Sequence, residues 1–273
     1  MEEQHKIKSL VKSMLFIKNI VTKLYAKIEF VLHNPKIFIP PIYEMIIEKV
    51  KRRKTKMDHP FYKCNIRRDI KVFFDIGANI GNVTLSAYRS FPFAQIHSFE
   101  PVRTTYQKLC KNVENYRERI TTYNFGFFNV SKTLDIHITT FHGANSILNQ
   151  SPNYKIVHPH IKEIGTENIE LRTIDSFMSN KNIDKIDIIK IDVEGVEKEV
   201  IEGGQETFKN KVNNVFIELS LLRRNQEPEY WVEICKLLYN LGFVLINIYD
   251  IGRYIKDNRE YLAQMDAFFT KQN

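Results

Sequence analysis

The chain has 273 residues, 43% of them hydrophobic and 12% aromatic, which suits one large domain with an accessory segment, or two small domains, and excludes a disordered chain. The net charge of +8 is uneven: residues through Lys71 hold 17 basic and 7 acidic side chains and the remainder 23 and 25, so the leading segment carries the basicity. Cys64, Cys110 and Cys235 are odd in number and in no metal-ligand spacing, which fits reduced thiols and a cytoplasmic setting rather than a disulfide framework.

In chain order, Ile7, Leu10, Val11, Met14, Ile17, Val21, Leu24, Tyr25 and Ile28 recur at spacings of three and four, predicting an amphipathic helix over 5–33 with lysines on its other face. Its longest uncharged run is about five residues against the roughly 20 that a bilayer span needs. It is therefore expected to pack on the body, to form a homodimer, or to lie peripherally on the inner face of a membrane. No secretory signal pattern is visible. Prolines at 35, 40 and 41 precede a second predicted helix at 42–52. The run KRRKTK at 51–56 is either a solvated face or a contact for an anionic partner such as a phosphorylated substrate; nucleic acid is not expected, because no aromatics interleave with these charges. Residues 1–68 are thus read as a basic helical extension and 69–273 as the main domain.

From Asp69 onward strands and helices alternate. KVFFDI is a predicted buried strand followed by a helix through VTLSAYRS; AQIHSFE is a second strand, and Pro101 opens a helix through YQKLCKNVENY. ITTYNFGFF is a third strand and KTLDIHITT an added one, after which the polar stretch 141–165 reads as a long loop. DIIKIDVEG is a fourth strand, VEKEVIEGGQETF a helix, NVFIELS a strand, EYWVEICKLLYNLG a helix, and FVLINIYD and DAFFTK a final antiparallel pair. The alternation predicts an α/β fold: a doubly wound, mostly parallel, Rossmann-like sheet covered on both faces.

Ligands of such sheets bind outside the carboxyl ends of the strands. Gly77 and Gly81, at the end of the first strand, are spaced G-x-x-x-G, without the third glycine of a dinucleotide turn or the lysine of a phosphate loop. An NAD-type site is therefore disfavoured, and the turn suits a nucleoside with little phosphate or serves only the fold. Asp75 just before it is a poor neighbour for pyrophosphate and a good one for a cation, while Glu100 at the end of the second strand can accept from both hydroxyls of a ribose. Lys190, Asp192 and Glu194, at the end of an otherwise apolar strand, should share one face and point at the ligand crevice.

DIGANIGNVT, SFEP, NFG, LRTIDSF, IDIIKIDVEGVEKEVIEGG and FIELS, in that order, resemble the FkbM-type methyltransferases over about residues 69–269. The resemblance implies a class I S-adenosylmethionine-dependent fold with a seven-stranded sheet and O-methylation of sugar hydroxyls or related natural products. It further implies that Gly77, Ala78, Asn79, Gly81 and the adjoining Asn82 wrap the methionine part of S-adenosylmethionine with Asp75 beneath. Glu100, with Pro101 next to it, would hold the ribose; Asn124, Phe125 and Gly126 would lie at the adenine, and Asn145 and Ser146 would close over the cofactor.

For the chemistry, a weakly acidic hydroxyl needs a base or a metal ion. Lys190 with a lowered pKa is one candidate base and His142 another, and Asp192 or Glu194 can take the proton or orient the hydroxyl. Asp192 and Glu218 are a candidate pair for Mg²⁺. His158 and His160 read as loop residues and Trp231 as a packing residue. The expected acceptor is a sugar, nucleotide-sugar or glycan in surface polysaccharide (capsule or lipopolysaccharide) or glycoconjugate synthesis. The alternatives are a small natural product or lipid acceptor, or a non-catalytic assembly protein.

Overall fold

The computed structural model describes residues 69–272, apart from 222–229 and 257. The predicted helices at 5–33 and 42–52, and with them the 1–68 extension and Cys64, lie outside the described residues.

The apolar runs form a seven-stranded sheet. Its strands are β1 (Val72–Ile76), β2 (Gln95–Phe99), β3 (Ile120–Tyr123), β7 (Ile186–Ile191), β8 (Val212–Ser220), β9 (Phe243–Lys256) and β10 (Arg259–Lys271). Their spatial order is β3-β2-β1-β7-β8-β10-β9, parallel except that β10 runs antiparallel to both β8 and β9. This is the expected mostly parallel α/β methyltransferase-like fold. The order reverses at β1, which pairs with β2 on one side and β7 on the other, so the ends of β1 and β7 border one crevice.

Alternate side chains of the central strands feed two cores, which is why β1 and β7 read as near-continuous apolar runs. Phe73 and Ile188 face helices α1 (Asn82–Ser90) and α2 (Arg103–Asn112), meeting Ala87 and Leu109. Phe74, Ile189 and Ile191 face the other way, toward α4 (Ile174–Ser179), α5 (Glu197–Glu202), α6 (Gln205–Asn210) and α7 (Tyr230–Asn240). Phe74 lies 5.3 Å from Phe99 and 6.0 Å from Phe177, and each such fully buried ring contributes about 1.5–3 kcal/mol. Trp231 packs against this core, as expected.

Three features depart from the sequence expectation. The ITTYNFGFF run is split: β3 ends at Tyr123, and β4 (Gly126–Phe127) leaves the main sheet for a second one, β4-β6-β5, with β5 at Lys132–Thr139 and β6 at Glu163–Arg172. The stretch predicted as loop therefore holds the start of β6, a 3-10 turn at His142–Ala144, and helix α3 (Pro152–Val157), whose first turn is capped by Ser151. Its polar composition hides β6, whose alternating exposure reflects one solvent-facing side. Finally, the helix predicted through VEKEVIEGGQETF breaks at Gly203–Gly204, where the chain passes so close to Phe128 that a side chain at Gly203 would stand 2.0 Å from its carbonyl oxygen.

Candidate active site

The crevice begins at the turn that leaves β1. Gly77 has φ +75°, and a Cβ there would lie 1.8 Å from the Asp192 carbonyl oxygen, so the backbones ending β1 and β7 touch only because position 77 is glycine. The amides of Gly77 and Ala78 donate to the Phe99 carbonyl at 3.1 and 2.9 Å, tying the turn to β2. Gly81, φ +92°, opens α1 with its Cα hydrogens against Leu109.

Glu100 is buried at the end of β2. Its two carboxylate oxygens accept the amides of Asn79 and Val102, both at 3.0 Å, and each oxygen keeps acceptor capacity toward the crevice. Burial raises its pKa to about 7 despite those two bonds.

Lys190 forms the floor. Its ammonium lies 3.1 Å from Asp192 and 3.6 Å from Asp75, and donates to the Gly77 carbonyl at 3.3 Å. Asp75 is fully buried; one oxygen accepts from Thr84 at 2.6 Å and the other faces Lys190 without a hydrogen bond. Burial pushes Lys190 down, but the charges of Asp192 and Asp75 outweigh it and hold the group above the ordinary lysine value. The expectation of a lowered pKa is thus overturned: Lys190 is a fixed cation and not a base. Asp192 is engaged by this ammonium, and Glu218, beyond Ile217 on β8, accepts from Gln264 at 3.0 Å. Among the described residues no group of three or more His, Cys, Asp or Glu is placed to hold a metal ion.

Beyond the floor, β7 ends at Ile191, so Asp192 and Glu194 sit past the strand rather than on its face, and Glu194 adopts φ +62°. Glu197 braces this turn by accepting from the amides of Gly195 (2.9 Å) and Val193 (3.4 Å), and burial lifts its pKa to about 7. Asp266, opposite Glu218 in the β8–β10 register, is likewise raised to about 7 by burial and then by Asp192. Burial and the surrounding carboxylates, Asp192 foremost, push Glu218 well up. The His142 imidazole lines the crevice with Nδ1 buried and without a hydrogen-bond partner, and burial, with Lys108, lowers its pKa, so it is neutral at physiological pH.

The crevice has a volume of about 220 Å³. Of the residues expected there, Gly77, Ala78, Asn79, Asn82, Glu100, Pro101, Gly126, His142, Asn145, Lys190, Asp192 and Glu194 line it. The others stand back from it. Asp75 and Gly81 lie under the turn, and Asn124 uses its amide to hold the carbonyls of Glu100 and Pro101 at 3.0 and 2.9 Å. Phe125 is packed in the aromatic core, and Ser146 clips the Glu194 carbonyl at 2.7 Å. Sequence reasoning missed the opposite wall, where the small sheet and its flanks contribute Phe127, Phe128, Ile136, Ile147, Ile169 and Leu171. The only available signal was the apolar alternation in IHI and NIEL, which is too short to assign to a site.

Comparison with known proteins now bears on this geometry. The profile described as "Methyltransferase FkbM domain" matches residues 75–245, more than half of the chain. The chain belongs to the FkbM methyltransferase family. It is 26% identical over 162 residues to Methyltransferase 1 of Beauveria bassiana (strain ARSEF 2860), covering 55% of this chain and 65% of that one. It is also 26% identical over 155 residues to 2-O-methyltransferase NoeI of Sinorhizobium fredii (strain NBRC 101917 / NGR234), covering 55% and 63%. The match therefore spans just under two-thirds of these relatives. A solved FkbM methyltransferase from Methylobacillus flagellatus KT is 17% identical, covers 78% of this chain and 47% of its own, and gives a TM-score of 0.49.

FkbM membership implies S-adenosylmethionine as cofactor, and the residues present fit it. The turn residues Gly77, Ala78 and Asn79 line the crevice, Glu100 offers a buried carboxylate for ribose hydroxyls, and the apolar wall of Phe127, Ile169 and Leu171 suits an adenine face.

Proposed function

We propose that this FkbM-family chain is an S-adenosylmethionine-dependent O-methyltransferase acting on a sugar hydroxyl of a nucleotide-sugar or glycan in surface polysaccharide or glycoconjugate synthesis. We place this work in the cytoplasm, in keeping with a cysteine set that suggests no disulfide framework. One observation carries the reaction type: Asp192, beside the fixed Lys190 ammonium, Glu194 and the neutral His142 line one crevice as hydrogen-bond acceptors, as a hydroxyl acceptor requires. The printed name of NoeI, a 2-O-methyltransferase, supports transfer to oxygen, and the sugar rests on the family resemblance.

When bound, the cofactor supplies a methyl group activated on a sulfonium. The chain's own groups align the oxygen and remove its proton. Lys190 pins the Asp192 carboxylate, which orients the sugar by accepting from a neighbouring hydroxyl. The neutral His142 imidazole accepts the hydrogen bond of the reacting hydroxyl and takes its proton as the oxygen receives the methyl group. The wall of Phe127, Ile136 and Leu171 excludes water.

The test is a methyl-transfer assay over a panel of nucleotide sugars and glycans with His142→Ala and Asp192→Asn. Each substitution should lower kcat by about 10²-fold while leaving S-adenosylmethionine affinity intact. The activity of the wild type should fall only as pH drops below the ordinary histidine range, because the His142 pKa is lowered. Full turnover in both variants would remove these two residues from the mechanism. Transfer to a lipid or natural product, and not to any sugar, would displace the acceptor assignment.

A further inference from the structure

A second concavity, of about 770 Å³, lies between the small sheet and α4, and it differs in character from the crevice. It is lined by three cations, Lys132 on β5, Arg172 at the end of β6 and Lys181 after α4. The Arg172 guanidinium lies 4.1 Å from the centroid of Phe125, and the Lys181 ammonium 5.6 Å from that of Tyr123. Those two rings are themselves neighbours, with centroids 5.8 Å apart, so the two heads are held over adjacent parts of one aromatic floor. Glu170 accepts from Arg172 Nε at 2.6 Å and offsets one charge, which leaves a surplus of two positive charges. The same contact fixes the plane of the guanidinium and leaves its two terminal nitrogens without a hydrogen-bond acceptor among the described residues. The hydroxyls of Ser131 and Thr133 add neutral donors at the rim.

Like charges converging on one concavity repel one another, and a bound anion relieves that cost while using the free donors. A guanidinium fork held in plane matches a phosphoryl group bidentately, and flanking ammoniums add point charge. The Lys181 charge is felt inside as well: half-buried His97, hydrogen-bonded to Tyr123, is lowered to about 4 by desolvation and then by Lys181. Leu171 lines both this groove and the crevice, so β6 forms the partition between them.

We propose that this groove is a binding site for the phosphoryl group of a small phosphorylated molecule, separate from the crevice and anchored by Arg172, Lys181 and Lys132. The test is calorimetric titration of the full chain with inorganic pyrophosphate, with inorganic phosphate and glucuronate as comparison arms. Saturable binding of pyrophosphate is expected, tighter than either comparison ligand and weakening as salt is raised. The double variant Arg172→Gln/Lys181→Gln should weaken it by about tenfold or more, with S-adenosylmethionine affinity unchanged. Lys132→Gln, which leaves the aromatic floor intact, should weaken it by about threefold or more. No saturable pyrophosphate binding, undiminished binding in the double variant, or tighter binding of glucuronate would each overturn the assignment.

Discussion

The two walls of the crevice are built on different physical terms. On the β1–β7 side, position is set by backbone contact and buried charge: a carbonyl fills the space of a missing Cβ at Gly77, and Lys190 neutralises Asp75 and Asp192. On the small-sheet side, it is set by the packing of Ile136 on β5 against Ile169 and Leu171 on β6. The first wall tolerates almost no substitution and the second tolerates any side chain of similar size. The difference is one of chemistry as well as of rigidity, since the charged wall offers acceptors and the apolar wall offers a surface.

The largest contrast should come from Lys190→Met, which strands the fully buried Asp75 charge and is expected to cost about 3–5 kcal/mol in urea unfolding. A loss below about 1 kcal/mol would mean that the ion node does not hold the charged wall together. Gly77→Ala should follow at about 2–3 kcal/mol, because it combines a left-handed φ with collision against the Asp192 carbonyl, and it should abolish S-adenosylmethionine binding in calorimetry. Ile147→Ala on the apolar wall should cost only about 1 kcal/mol and a few-fold in cofactor affinity. If it matched Gly77→Ala, the division between the walls would collapse.

A pH experiment sharpens the same division. Glu100, Glu197 and Asp266 all stand at about 7 in the folded protein, above their unfolded values. The folded state therefore keeps protons that the unfolded state has released, and the stability they contribute is present at low pH and lost as pH rises through about 7. His97, lowered to about 4, has the opposite sign, but it is mostly neutral in both states above its ordinary value of 6.5. The ligand-free protein should thus lose stability between about pH 6.5 and 8, and Glu197→Gln should flatten that slope. A stability that rises over this window would contradict the burial of these acids.

What the sequence disclosed follows the same line. Gly77, Asp75, Glu100, Lys190 and Asp192 were legible because each is an unlikely residue for a buried strand end, so its presence demands a reason. The mostly parallel sheet and its final antiparallel pair were legible from the alternation of apolar runs, and the seven-stranded count from the family resemblance alone. The small sheet was not. β4 is two residues long, and β6 starts within a stretch whose glycine and charges read as loop. Asn124 and Phe125 were misplaced for a related reason: they follow β3 in sequence, but the chain turns there into β4, leaving Asn124 as a brace and Phe125 in the core. Lys190 was correctly placed and chemically misread, because its two anionic neighbours come from different segments and only the fold brings them within 3.6 Å.

The central claim is that the crevice bounded by Gly77 and Glu100 binds S-adenosylmethionine. The most direct measurement is calorimetric titration of the wild type and Glu100→Gln with that cofactor across pH 6 to 8. The account predicts one-site binding by the wild type that tightens as pH rises through about 7 and Glu100 ionises, with affinity about 10- to 100-fold weaker and independent of pH in the variant. Equal affinity in the two proteins, or no binding by the wild type, would contradict it.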